Sequence, residues 1–349
     1  MDLLNRQYES FSDFDNHHLI KPLINEDGVW GFVVIHRKNG KTPSFGATRF
    51  YKYDCPEEGL RDALKLSKIM SYKSAMAGIP CGGAKGVLFN DGNIDNKKNV
   101  LKMYANEVNS FREGFVTGAD VGVNIDDVRY MRTISPYMVG LNDNVVEDTA
   151  LGIFFSIQTI LKKIYGSESI KNRSFAIQGL GKVGEALLKL LSAGAEEIYV
   201  CDVDKEKIKE IKLKYKNIDI IDTNKIIEKS VDIFSPCALS NTINTESIKK
   251  INCRAVVGGA NNQLESESIG MILHNGGILY APDYIVNAGG LINVYDERVR
   301  GYHDHKSVEN AIAKIKNVLD TVLNKSDLSG LPPFIISNKL AESVFNNYT

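Results

Sequence analysis

From Ser174 to Asp202 the sequence offers a strand, a glycine turn, a helix and a second strand that ends on an acid, and few folds accept that order. Ser174-Phe175-Ala176-Ile177-Gln178 runs straight into Gly179-Leu180-Gly181-Lys182-Val183-Gly184, Glu185 to Leu191 is apolar and helical, and Ile198-Tyr199-Val200-Cys201 leads to Asp202. A lone G-x-G-x-x-G specifies little, but in this context each glycine has a task. The first permits the tight turn, the second lets backbone approach a pyrophosphate, and the third lets the helix pack close to the strand. The helix N-terminus turns its free N–H groups and its dipole toward phosphate. Asp202 lies about 20 residues beyond the motif, where an acid bonds the adenine-ribose hydroxyls. Its charge repels a 2′-phosphate, so the pattern predicts NAD rather than NADP, although Lys205 and Lys207 leave room for a phosphate. The cofactor contacts expected here are Gly179, Leu180, Gly181, Lys182, Val183, Gly184 and Asp202.

The chain beyond alternates as a doubly wound α/β fold does, with strands at Asp232–Cys237, Ala255–Gly259 and Gly277–Tyr280 and helical segments between them. Open parallel sheets bind ligands at the carboxyl ends of their strands. That selects Cys237-Ala238, Ala260-Asn261-Asn262 and Asn287-Ala288-Gly289-Gly290 as cofactor candidates, though Asn is also an ordinary turn residue. Lys306 to Leu323 is helical, and a last helix covers about Ser337 to Asn346.

Before the glycine motif, Gly28–His36 is a strand, a second strand is expected near Ser44–Tyr51, and Pro56-Glu57-Glu58 opens a helix with proline and acids in its first turn. That helix delivers Lys73, and a Gly-rich turn then presents Lys85 at the start of a short strand, Gly86–Phe89. No acid lies between Met70 and Gly86. Two cations in an apolar lining can divide the work, one holding an anionic group and the other acting as a base whose pKa is lowered by burial and by its cationic neighbour; two ordinary surface lysines are the alternative. A further helix spans 97–113, and Asp120, set among Gly118, Ala119, Val121 and Gly122, is either a turn residue or a functional carboxylate.

At 349 residues the chain suits two domains, divided in the polar segment between Tyr137 and Thr149. The expected division is a substrate-binding domain over 1–140, rejoined by a C-terminal helix over 326–349, and a dinucleotide-binding domain over 141–325. A net charge of -1 gives no reason to expect nucleic acid or an anionic membrane as partner. No apolar run reaches the roughly 20 residues of a membrane span, and the polar start of the chain argues against a leader peptide. Five cysteines without C-x-x-C spacing suggest reduced thiols in a cytoplasmic protein. Cys81 is a packing residue before it is a nucleophile. His303-Asp304-His305 lacks further ligands at metal-site spacing, so no metal is expected.

Taken together, Phe45-Gly46-Ala47-Thr48-Arg49, Met70-Ser71-Tyr72-Lys73, Gly82-Gly83-Ala84-Lys85, Thr117–Gly122, Pro236-Cys237-Ala238-Leu239, Ala260–Leu264 and Ala281–Gly290 resemble the amino-acid dehydrogenase family that includes glutamate, leucine, phenylalanine and valine dehydrogenases. The resemblance extends from about Gly28 to Glu297 and is strongest to the leucine dehydrogenase branch. It implies an NAD-dependent oxidoreductase with an active-site cleft between two domains and a homo-oligomer, dimer or octamer, built through the substrate domain. It further implies that Lys73 binds the substrate α-carboxylate, Lys85 is the base that activates water, and Asp120 exchanges protons with the substrate nitrogen. Gly46 and Met70 belong to the substrate site, and Thr149 and Asn287 match positions near nicotinamide and substrate. The partners implied are an amino acid, its 2-oxo acid and ammonia.

Glutamate-specific members carry Lys where this chain has Phe45 and a hydroxyl where it has Val294. An acidic side chain would therefore be buried unpaired at a cost of several kcal/mol, and an apolar, branched-chain amino acid of the leucine/valine type is expected. Phe45 replaces the leucine common in the leucine branch, which keeps an aromatic substrate (phenylalanine or tryptophan) as the alternative. Ala84 for glycine and Gly86 for a larger residue alter the setting of Lys85, and the short tail after Asn338 departs from the octameric pattern. A catalytically inactive NAD-binding regulator is the reading from another class, and the presence of Lys73, Lys85 and Asp120 speaks against it.

Overall fold

The structure, a computed structural model, describes residues 8–92, 94–142 and 144–348. The first seven residues of the polar N-terminal stretch, Asp143 in the segment expected to divide the domains, and Thr349 lie outside them. The chain forms two compact units, Met1–Asn142 with Leu340–Thr349, and Asp143–Lys339.

In the first unit β1 (Leu19–Asn25) pairs antiparallel with β2 (Gly28–Ile35). The chain continues through β3 (Ser44–Phe45), β4 (Thr48–Tyr51), α1 (Pro56–Met76), β5 (Ala84–Phe89), α2 (Ile94–Ser110), β6 (Phe115–Val116) and α3 (Ile125–Arg132). The main sheet has the order β1-β2-β5-β4, and β3 pairs with β6 in a separate ladder. The β1 strand was hidden from the sequence by Pro22, which an edge strand tolerates. The single strand expected near Ser44–Tyr51 is two strands in two sheets. The chain changes sheets at Gly46, where a side chain would lie 2.2 Å from the Ala84 carbonyl oxygen. Strand alternation sorts the core by face. Val33, Ile35, Ala84 and Leu88 pack with Leu101, Tyr104 and Val108 of α2, while Phe32, Val34 and Val87 pack with Leu60, Ala63 and Leu64 of α1.

The second unit comprises α4 (Val145–Tyr165), β7 (Ser174–Gln178), α5 (Lys182–Leu191), β8 (Glu197–Cys201), α6 (Lys205–Lys214), β9 (Asp219–Ile220), β10 (Val231–Pro236), β11 (Cys253–Val256), α7 (Glu267–Asn275), β12 (Leu279–Tyr280), α8 (Asp283–Val286), α9 (Gly289–Arg300) and α10 (His305–Ser329). Its six strands are all parallel, in the order β12-β11-β10-β7-β8-β9, the doubly wound order with its reversal between β7 and β10. Phe175 and Ile177 of β7 face α4, α5 and α10, and Ala176 faces the opposite way into a second core with Phe234, Leu273 and Phe334. The polar run expected to be a loop up to Thr149 is helix from Val145: Glu147 and Asp148 stand in the first turn of α4, where acids complement the helix dipole. At the C-terminus, Ser326 to Ser329 close α10, Gly330 caps it in a left-handed conformation, and α11 (Pro333–Phe345) begins after it. The chain joins the first unit only from Leu340, not from 326.

A histidine cluster ties that C-terminal segment to the first unit. The His36 ring is fully buried, Nε2 donates to Asp15 Oδ2 at 3.1 Å, and the rings of His17 and Phe345 stand 4.8 and 5.7 Å away. Burial, only partly offset by Asp15, pushes His36 down to about 4, and burial pushes His17 down to about 4 as well. The hydrogen bond to His36 holds Asp15 below the usual carboxylate range. Folded, both rings stay neutral to about pH 4, whereas the unfolded chain takes up a proton on each near 6.5. Stability is therefore retained above pH 6.5 and falls as pH drops toward 4. Thermal unfolding followed by circular dichroism at pH 7.5 and pH 5 should show a clear loss at pH 5. His36→Gln, which keeps the donor to Asp15, should remove about 2 kcal/mol of that pH dependence.

Candidate functional site

Lys85, the second residue of β5, shares the α1-facing side of the strand with Val87, and it is 4 % exposed. Its Nζ donates to Asp120 Oδ2 at 2.6 Å. Asp120 arrives from the loop after β6, and the same oxygen accepts Arg49 Nε at 3.0 Å. Burial would raise the Asp120 carboxyl, but the charges of Lys85 and Arg49 outweigh it and hold the group down at about 2. With both cations charged, the group is held as a carboxylate at neutral pH. No acid stands near Lys85 in sequence; its counter-ion comes from 35 residues away. Nor is the described partner of Lys85 the cationic neighbour that the sequence suggested.

Lys73 and Met70 lie in the last turns of α1. Gly83 connects this helix to β5: its N–H donates to Ser71 Oγ at 2.8 Å, and a side chain there would lie 2.0 Å from the Ser71 backbone nitrogen. Lys73 and Lys85, two residues beyond either side of that contact, are thereby fixed in one framework. Phe45 is 1 % exposed, and its N–H donates to the Gly82 carbonyl while Gly46 N–H donates to Val116. Val294 belongs to α9 in the other unit and is half-buried.

In the second unit the glycine turn is closed as the spacing requires. Gly179 has φ +95°, and a side chain at Gly184 would lie 1.9 Å from the Gly179 carbonyl oxygen. Gly181 begins α5 with no side chain capping it and open space where a side chain would project. Asp202 Oδ2 accepts the Leu180 N–H at 2.6 Å, placing the acid against the turn. Cys237 N–H donates to the Gln178 carbonyl, and Ala238 crowds Gly179 so closely that a side chain there would meet its Cβ at 2.6 Å. Asn287 Nδ2 donates to Asn261 Oδ1 at 2.9 Å and to the Gly259 carbonyl, whereas Asn287 Oδ1 is buried without a hydrogen-bond partner. Thr149 Oγ1 donates to Val145 and stands against Gly290, where a side chain would meet it at 2.6 Å. A glycine cradle at an uncapped helix start, an adjoining acid and an orphaned amide acceptor fit a dinucleotide with a carboxamide head.

Sequence reasoning passed over Arg49, Asp62 and Tyr53. Arg49 stood inside a quoted motif, but only the fold brings it to Asp120. The candidate nucleophile Cys81 is buried, and burial pushes its thiol up to about 12, which suits a packing residue. The rings of His303 and His305 meet edge to face, with Nε2 and Nδ1 3.3 Å apart. Among the described residues no group of three or more His, Cys, Asp or Glu could hold a metal ion, and no helix is long and apolar enough to cross a membrane.

Family models match both parts of the chain: Glu/Leu/Phe/Val dehydrogenase, dimerisation domain, over residues 18–136, and Glutamate/Leucine/Phenylalanine/Valine dehydrogenase over residues 140–332. L-tryptophan dehydrogenase of Nostoc punctiforme is 37 % identical over 87 % of this chain and 86 % of its own length. Its crystal structure covers 95 % of this chain and 96 % of that one, with a TM-score of 0.81 at 33 % identity. Leucine dehydrogenase of Bacillus cereus is 30 % identical over 96 % of this chain and 92 % of its own. Phenylalanine dehydrogenase of Bacillus thermotolerans is 34 % identical over 91 % and 85 %.

Gly184→Ala tests the cradle. The added methyl cannot fit against the Gly179 carbonyl, so the turn must open. We expect NAD binding, followed by titration of protein fluorescence, to weaken at least about tenfold, with a fall in Tm of about 5 °C or more.

Proposed function

We propose that this chain, which belongs to the glutamate/leucine/phenylalanine/valine dehydrogenase family, reversibly deaminates an apolar, branched-chain L-amino acid of the leucine or valine type. The products are the 2-oxo acid, ammonia and NADH. The observation that carries the reading is the buried Lys85–Asp120 pair, because a regulator that only bound NAD would have no use for a desolvated ion pair at this cost.

Bound NAD would supply the acceptor for the hydride that leaves the substrate Cα. Lys73 holds the α-carboxylate with its ammonium and so fixes which face of Cα is presented. Loss of hydride leaves an imino acid. Lys85 takes a proton from the water that adds to it, and Asp120 passes protons between that water and the departing nitrogen until ammonia leaves. Gly179 to Gly184, Asp202, Cys237, Ala238 and Asn261 hold the cofactor. Thr149 and Asn287 would serve the nicotinamide end, Asn287 Oδ1 having an unused acceptor for an amide or ammonium N–H.

Phe45 and Val294 support the choice of substrate, since neither can pair with an acidic side chain. Gly46 and Met70 complete the substrate contacts. The second reading, an aromatic amino acid, is favoured by the 37 % identical tryptophan dehydrogenase and the 34 % identical phenylalanine dehydrogenase. We further read the protein as a cytoplasmic homo-oligomer, supported by the dimerisation-domain match over 18–136 and by five free thiols.

Rates with leucine, valine, isoleucine, phenylalanine, tryptophan and glutamate, each with NAD and NADP, decide among these readings. The branched-chain substrates should lead in kcat/KM with NAD. Leading rates with phenylalanine or tryptophan select the aromatic reading, dominant glutamate turnover sinks the pocket argument, and no turnover on any substrate returns the regulatory one. Lys85→Ala should lower kcat by about 1,000-fold or more with NAD binding intact, while Lys73→Ala should act chiefly by raising the amino-acid KM. Near-parental kcat in Lys85→Ala refutes the assigned base.

A further inference from the structure

Arg49 uses its planar guanidinium as a fork. Nε donates to Asp120 Oδ2 at 3.0 Å, and Nη1 donates to Asp62 Oδ2 at 2.8 Å. Asp62 belongs to α1 and also accepts the Tyr53 hydroxyl at 2.5 Å. Lys85 donates to the same Asp120 oxygen, so charges alternate from contact to contact: Lys85, Asp120, Arg49, Asp62. Each of the four side chains is less than a quarter exposed.

The backbone brings Arg49 and Asp120 together without help from either side chain. Thr48 N–H donates to the Gly118 carbonyl at 2.8 Å and Phe50 N–H to the Val121 carbonyl at 2.9 Å, so hydrogen bonds flank Arg49 on both sides. Removing the guanidinium therefore leaves the Asp120 loop attached to β4. What goes is the constraint on where the carboxylate points.

That constraint matters at one stage of the proposed reaction. While Lys85 carries its proton, its ammonium and the Arg49 guanidinium together orient Asp120. Once the proton has left, a buried carboxylate beside a neutral amine would turn away or take up a proton itself. A guanidinium keeps its charge throughout, and its fork fixes direction as well as distance. Asp62 and Tyr53 hold the other prong, so the guanidinium cannot follow Asp120 if it turns.

We propose that Arg49 is a positioning residue for the deamination, keeping the Asp120 carboxylate turned toward Lys85 while Lys85 is without its proton. This rests on the roles given above to Lys85 and Asp120. Lys at this position would supply charge but could not span both carboxylates.

The test compares Arg49→Ala, Arg49→Lys and Lys85→Ala, with kcat, KM and Tm measured for each. Arg49→Ala should lower kcat about 100-fold while the amino-acid KM and the NAD Kd stay within about threefold. Arg49→Lys should recover less than about a tenth of the parental kcat, and about 50 mM guanidinium should raise kcat in Arg49→Ala alone. If Arg49→Ala keeps kcat within about threefold of the parent while Lys85→Ala is inactive, the positioning role falls and the assigned base stands. If Arg49→Lys restores both kcat and Tm and guanidinium has no effect, Arg49 is a structural charge and the proposal is overturned. Full activity in Lys85→Ala removes the reading itself, and the role of Arg49 with it.

Discussion

One oxygen atom, Asp120 Oδ2, takes hydrogen bonds from two cations, and much of the first unit serves to make that possible. A buried carboxylate is unfavourable unless it is paired and hydrogen-bonded. Here the pairing comes from neighbouring parallel strands. Thr48 lies opposite Gly86 and Arg49 opposite Val87, and strand alternation turns Lys85, Val87 and Arg49 to the same side of the sheet. The apolar residues of the opposite side, Ala84, Leu88 and Phe50, fill the core against α2 and keep water from that flank. The charged cluster is thus the far side of the packing that forms the core.

The second unit solves a different problem with main chain. Its candidate cofactor cradle is built of carbonyls, N–H groups and glycines, held by a six-stranded parallel sheet whose order reverses beside β7. Side chains enter at its margin, through Asp202 against the turn and Asn287 beside Asn261. A backbone cradle tolerates wide change in the surrounding sequence, provided that nothing larger than hydrogen appears at Gly184.

This contrast explains what could be read from the sequence. The strand, turn, helix, strand and acid from Ser174 to Asp202 are local, and their order survives in one dimension: β7 and β8 formed where the pattern put them. Lys85 drew notice in the sequence as one of two cations around a glycine-rich turn without an acid between them, and the structure buries it against Asp120. Its partnership with Asp120 rested on family resemblance, and the role of Arg49 was invisible, since strand pairing between β4 and β5 decides which residues share a face. Errors of extent have physical causes as well. Glu147 and Asp148 look like a loop until the helix dipole is considered, and Gly46 interrupts what composition presents as one strand.

Gly83 lies directly on the backbone of α1 at Met70 and Ser71. The gap between that helix and β5 is therefore set by two main chains in contact, pinned by the Ser71 hydroxyl. A spacing of that kind cannot be widened or narrowed by ordinary substitution. Lys73 and Lys85 are accordingly carried at a fixed offset, which in the proposed reaction would suit the part of an amino acid that never varies. Under the proposed function, a change in the side chain accepted would have to come from positions outside that contact.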